Sequence, residues 1–477
     1  MTNSTSETPA QDIPAPGAIS DFGIDTTSRS TGEAVRDYAA RLRGGELGPL
    51  PALLGLVTLL IVFSSLGDTF LTLGNIANLL AQGASITIIA MGLVFVLLLG
   101  EIDLSAGTAS GVAAAVMALH LVKGGNLLGG MGDVVFALYC GLLALAVVLA
   151  AVMRIWPGAV LSAAALVISL IGVPPDPWVE MLLAVCVGAA IGCLTGFLVA
   201  KVGIPSFVVT LALFLAWGGV VLQLIGQGGT LGLDDQVLFE VANGNLTTAG
   251  SWALFALAAG GYAAVVLGRH FSRLRKGLVA PPTPMVLAKV GAVVVLAAVG
   301  THLLTLNRSV SSLVVIQGVP HVVPIVLVLL VIGTFVLERT SYGRHVYAVG
   351  GNQEAARRAG IDVARIRMSV FVICSTAAAL GAIVYSSKVG SVAPNAGGGN
   401  TLLLSVGAAV IGGTSLFGGR GRLRDAVIGA AVLATIDNGM GLLEQPAAVV
   451  YVVTGLVLLL AAGVDALSRR RAAVAPR

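Results

Sequence analysis

Charge is what this sequence has least of. Only 10% of its 477 residues are Asp, Glu, Lys or Arg, against about 25% in soluble domains. Eleven of those fifty charges fall within residues 1–48. What remains is too sparse to cover a water-facing surface, which excludes a soluble enzyme, a disordered chain and a nucleic-acid binder. Cysteine is scarce as well. Cys140, Cys186, Cys193 and Cys374 all lie inside apolar runs. Cys186 and Cys193 would sit about 10.5 Å apart on one helix, too far for a disulfide. No short apolar segment follows a basic start, so the N-terminus is not a signal peptide; rich in Ser, Thr, Pro and acidic residues, 1–48 reads as a disordered cytoplasmic tail. The five lysines precede Gly124, Val202, Gly277, Val290 and Val389, so no Gly-Lys-Ser/Thr phosphate loop can form. The five histidines are scattered without metal-ligand spacing. Neither a metal nor a cofactor is expected.

What the sequence has in abundance is apolar length. Hydrophobic residues make up 57% of the chain and glycine contributes 62 positions. The apolar runs are continuous and Leu/Ala/Val/Gly-rich, without the ~10-residue alternation of a membrane β-barrel. Fourteen runs, from 50–66 to 446–463, approach the ~20 residues a spanning helix needs; those at 158–173 and 401–413 are short enough to be re-entrant. The fold class is therefore an all-α polytopic membrane protein with 12–14 spans, occupying 49–467 and followed by a basic tail at 468–477. Basic residues collect on the cytoplasmic side of such proteins. With the N-terminus inside, 23 of the 27 basic residues fall on that side and only Lys123, Arg308 and Lys388 fall outside. Both termini are then cytoplasmic and the span count is even.

The longest internal loop on the basic side, 338–368, carries a helix signature. Asn352 is an N-cap, Glu354 lies in the first turn, Arg357 and Arg358 lie in the last, and Gly360 stops the helix. A helix of seven or eight residues is marginal in water, so either the protein's own membrane face or a partner must hold it. The small residues Ala355, Ala356 and Ala359 suit a groove on another subunit, and equally a self-packed solvated helix. Elsewhere, Glu101 and Asp103 lie between two apolar runs, where carboxylates are costly unless they face water or a partner. They fit a simple interhelical turn or a broken helix lining a solute path. Asp437 and Asn438, inside a span, fit interhelical bonding or a lumen role.

These blocks carry a resemblance. The loop with Tyr342-Gly343-Arg344, Tyr347 through Asn352, Glu354-Ala355-Ala356 and Gly360-Ile361 resembles the coupling region of sugar-type ABC importer permeases of the ribose/xylose/galactose class. Glu101-Ile102-Asp103-Leu104-Ser105-Ala106-Gly107, Pro205 through Leu211, Ile411 through Gly419 and Asp437-Asn438-Gly439-Met440 follow in that family's order. Among subfamilies the chain is most similar to xylose permeases. The resemblance implies a transport subunit without catalytic residues, in a bacterial cell membrane. It also implies a second permease copy, ABC ATPase subunits on the cytoplasmic face, an extracytoplasmic sugar-binding protein and surrounding lipid. Coupling residues would be Gly351, Asn352, Glu354, Ala355, Ala356, Arg357, Arg358 and Gly360; a monosaccharide would pass near Glu101, Asp103, Ser105, Asp437 and Asn438. Two departures stand out. The region 134–178 adds about two spans, and Leu402 and Leu404 stand where relatives often carry an acidic pair. An ion-coupled transporter is the alternative, but no repeated halves are visible in the sequence.

Overall fold

The computed structural model describes residues 31–33, 36, 50–226, 229–309, 311 and 313–474, with side chains only as far as 460 in the last helix. The expected N-terminal tail lies almost wholly outside the described residues, as do the side chains of the basic tail at 468–477. Each of the fourteen apolar runs coincides with a helix. Among the described residues, nine are long and apolar enough to cross a membrane. They are α2 (Leu73–Leu98), α5 (Asp133–Val152), α7 (Pro177–Phe197, continued by a π-turn at Leu198–Val202) and α8 (Ser206–Ile225), then α10 (Thr248–Arg275), α11 (Thr283–Thr305), α12 (Val322–Arg339), α15 (Val363–Val389) and α17 (Leu423–Leu442). The other five runs give shorter apolar helices: α1 (Leu50–Leu66), α3 (Ala106–Val122), α6 (Trp156–Ile171), α16 (Asn400–Gly412) and the described part of α18 (Ala447–Val474). Four small helices complete the set: α4 (Leu127–Met131), α9 (Gln236–Asn243), α13 (Ser341–Gly351) and α14 (Gln353–Arg358).

The centre of the bundle is built from α2, α15 and α7, whose buried residues include Ile88, Ile89, Leu97, Phe371 and Leu183. Glycine makes this packing possible. On α7, Gly188, Gly192 and Gly196 recur every four residues, and a Cβ at each would meet α15 at Ser375, Val372 and Met368. Lipid supplies no hydrophobic drive for helices to associate, so such close backbone approach is what holds them together. The opposite pattern marks the periphery. Val134, Leu138, Leu142, Leu145, Val148 and Val152 make one exposed stripe along α5, as expected of a surface meeting acyl chains. The hairpin α5–α6 therefore packs on the outside of α7.

The described part of the loop 227–250, residues 229–250, folds into a short strand and a helix. Within it, β1 (Leu231–Gly232) pairs antiparallel with β2 (Ser391–Val392), Leu231 opposite Val392. Asp235 caps α9, and the Ala242 amide donates to Ser387 Oγ at 2.9 Å, so α9 lies across the end of α15. Residues 255–300, comprising most of α10 and α11, form a separate compact unit. Within it, the His270 ring hydrogen bonds Thr283 Oγ1 at 3.0 Å.

Candidate functional site

The helix expected at 352–359 is present, shortened to six residues. The Asn352 side chain accepts from the Ala355 amide at 2.9 Å, and Gly360 follows the helix with φ +82°. Both are the caps that the residue types call for. Glu354 accepts from Arg357 at 3.1 Å and from Arg358 at 3.2 Å, on an exposed surface where such pairs contribute little stability. Ala356 alone is buried, at 4% exposure, while Ala355 and Ala359 remain open. One alanine thus anchors α14 and two leave a small free face.

The segments beside α14 bring two of the sequence blocks together at the end of α2. A Cβ on Gly350, near the end of α13, would collide with the Leu98 carbonyl at the end of α2. The Gly419 amide donates to that same carbonyl at 2.8 Å. A Cβ on Gly418 would in turn meet Gly100 and Gly350. Tyr347 Oη donates to the Gly421 carbonyl at 2.8 Å, locking α13 over the Gly418–Gly421 turn. The Gly412–Gly419 block is therefore a tight turn, as its lack of a following Lys-Ser/Thr indicates. It forms a socket of bare backbone for α13, which only glycine permits.

The break after α2 contains Glu101, Asp103 and Ser105. Glu101 is ion-paired to Arg367 at 2.6 Å, largely out of solvent. Asp103 is fully buried; Oδ1 accepts from the Ser105 amide at 3.0 Å and from Ser105 Oγ at 2.6 Å, and Oδ2 has no partner among the described residues. The Pro205–Leu211 block caps the same break, for Ser206 Oγ accepts from the Ile102 amide and Thr210 Oγ1 donates to the Ile102 carbonyl. Glu101 through Ser105 are thus a hydrogen-bonded reversal between α2 and α3, held in place by α8 and α15.

Asp437 and Asn438 lie elsewhere. Gln82 Nε2 donates to Asp437 at 2.7 Å, and Asn438 exchanges two hydrogen bonds with Asn75 at 2.8 and 2.9 Å. Gln82 stands sixteen residues from Leu98, or about 24 Å along the helix. The network therefore joins α2 to α17 well away from α14, and its side chains are occupied by one another.

A family profile described as "Branched-chain amino acid transport system / permease component" matches residues 75–462. The chain belongs to this permease family. The xylose transport system permease protein XylH of Escherichia coli (strain K12) is 32% identical over 422 residues, covering 87% of this chain and 91% of that protein. The ribose import permease proteins RbsC of Escherichia coli (strain K12) and Bacillus subtilis are 27% and 28% identical, over 87% and 88% of this chain and 92% of theirs. No solved structure matches. The permease is accordingly a multi-pass membrane protein and a non-catalytic subunit of its transport system, and its family implies ATPase and solute-binding-protein partners.

Several site neighbours in the permease carry no sequence signal of their own. Arg367 was legible only as one basic loop residue among many. Asn75 and Gln82 sit in an apolar run like any helix polar group. The histidines are a sharper case. His120 is 0% exposed and bonded to the equally buried Glu180 at 2.7 Å; His270 is buried too. Such pairing across sixty residues leaves no trace in local spacing.

Proposed function

We propose that the permease imports a monosaccharide of the xylose–ribose class, received from an extracytoplasmic sugar-binding protein and moved by ATP hydrolysis on a separate subunit. In this reading two copies form a homodimer in a bacterial cell membrane, both termini face the cytoplasm, and the α13–α14 end is the cytoplasmic end. The sugar class is supported by the similarity to permeases named for xylose and ribose. The coupling mechanism is supported by one observation above all. The exposed helix α14 stands on α13, and α13 is wedged against the end of α2 through Gly350 and the Leu98 carbonyl. A load applied to Gly351, Asn352, Glu354, Ala355, Arg357, Arg358 and Gly360, with Ala356 as the anchor, passes directly into a helix of the bundle centre. The solute's path runs along α2, with Glu101, Asp103 and Ser105 toward its cytoplasmic end and Asp437 and Asn438 toward the other.

The test is uptake of radiolabelled D-xylose and D-ribose by cells lacking pentose transport of their own and supplied with the permease, its ATPase and its binding protein. Accumulation should require all three and stop when the ATPase is inactivated. Uphill uptake by the permease alone on an ion gradient would overturn the reading.

A further inference from the structure

Helices α2 and α15 run antiparallel. Ser85 Oγ donates to the Gly381 carbonyl, and a Cβ on Gly92 would meet Cys374 and Ala377. Each long helix is followed by chain that turns back alongside the bundle and starts a shorter helix. After α2, residues 99–105 bring Asp103 to the level of Cys374, and α3 then begins. It ends near His120, which is bonded to Glu180 in the first turn of α7. After α15, residues 390–399 return until Gly397 touches Gly107 and Gly111, and α16 then begins. It ends at Gly412, against Asp425 in the first turn of α17. One short helix thus leaves toward the far end of the bundle and the other toward the α13–α14 end. The two units, each a long helix, a returning segment and a short helix, are inverted relative to one another, and they cross where Gly107 meets Gly397.

Two spaces flank that crossing. One is a cavity of about 340 Å³, within the range of small-molecule sites. Thr108, Gly218 and Leu222 line it on one side and Pro394 and Asn395 on the other. The second is a slit of only about 10 Å³, room for about one water, that shares Ala396 with the first and is lined by Ser85, Ser110, Tyr385 and Thr401. No charged residue lines either space among the described residues. Tyr385 presents an aromatic ring at 51% exposure. Its hydroxyl, that of Thr401 and the Asn395 amide make no hydrogen bond among the described residues.

The geometry points to the cavity, with the Tyr385–Thr401 slit at its edge, as a subsite for a neutral polyhydroxylated solute, held where the inverted units cross. This rests on the monosaccharide reading and deepens it. Hydroxyl and amide groups both donate and accept, as sugar hydroxyls do. The apolar wall and the Tyr385 ring suit the C–H face of a pyranose or furanose. A site at the interface of inverted units is also one that relative movement of those units opens to either side.

The experiment uses the whole transporter, permease with ATPase and binding protein, in proteoliposomes supplied with radiolabelled D-xylose and D-ribose. Tyr385→Ala, Thr401→Val and Asn395→Ala should each lower uptake tenfold or more while ATP hydrolysis stimulated by the loaded binding protein stays within twofold of wild type. Thr401→Cys gives a second readout that does not need impaired folding or transport: its modification by a small methanethiosulfonate should slow at least threefold when the transported pentose is present. Wild-type uptake with unimpaired variants and no protection of Thr401→Cys overturns the subsite and leaves the monosaccharide reading standing. Absence of pentose uptake by the wild type, with ATP hydrolysis still stimulated, overturns both.

Discussion

Glu101 and Arg367 form a 2.6 Å ion pair between the break after α2 and the first turns of α15. Arg367 follows α14 by nine positions, so the pair ties the chain after α14 to the α2–α3 reversal by charge as well as by packing. Both side chains are mostly buried, and truncating one member of such a pair costs about 3 kcal/mol because the other charge is left uncompensated. Glu101→Ala and Arg367→Ala should each lower the thermal midpoint of the detergent-solubilised permease and reduce uptake. The double variant Glu101→Ala/Arg367→Ala should be closer to wild type in stability than the sum of the two. Strict additivity in the melting data would count against a coupled pair.

Gly350 has no room for a side chain. Gly350→Val places two methyl groups into the Leu98 carbonyl and the Gly419 amide, so α13 must lift from its socket. We expect ATP-dependent uptake to fall at least tenfold, with normal amounts of protein in the membrane. Gly141→Val on α5 is the control, since a Cβ at Gly141 meets nothing within 4 Å; it should be far milder. Equal effects at the two positions would remove the packing argument.

At α14 the expectation concerns coupling and not folding. Glu354→Trp puts bulk on an exposed face, and Gly360→Val forces a branched side chain into a φ of +82°, costing roughly 1–2 kcal/mol. Both should abolish ATP-dependent uptake and weaken co-purification of the ATPase while membrane insertion stays intact. The ion pairs from Glu354 are solvent-exposed, so Glu354→Gln should be nearly silent in stability. Normal uptake in Glu354→Trp would rule out docking through this face.

The His120–Glu180 pair is a structural prediction. It is entirely buried between α3 and α7, and His120 Nε2 and Glu180 Oε2 lack further partners among the described residues. His120→Ala leaves a buried carboxyl without its neighbour and should lower the melting temperature. His120→Leu/Glu180→Leu replaces both groups by apolar ones and should recover part of that loss. Melting of the double variant below either single variant would refute the account.

The coupling segment was the most legible part of the site, because its signals are local. Asn352 as a cap, Glu354 in the first turn and Gly360 as the stop act within one or two turns of chain, and each occupies the expected position. Glu101 and Asp103 were legible only as an anomaly, two carboxylates between apolar runs. Their partners Ser206, Thr210 and Arg367 lie more than a hundred residues away. Asp437 and Asn438 likewise meet Gln82 and Asn75 only across the bundle.

The sequence by itself determined the class: so little charge, so much apolar length and so one-sided a distribution of arginine leave only a polytopic membrane protein without a nucleotide site. It also located nearly every helix, because a lipid-facing backbone must satisfy its hydrogen bonds within the segment. The inverted relation of α2–α3 to α15–α16 was decided only by tertiary structure. Inversion maps one stretch of chain onto another running the opposite way through different surroundings, so the two need share no residue pattern. Their meeting at Gly107 and Gly397 follows from which helices pack together, a choice made by contacts nearly three hundred residues apart.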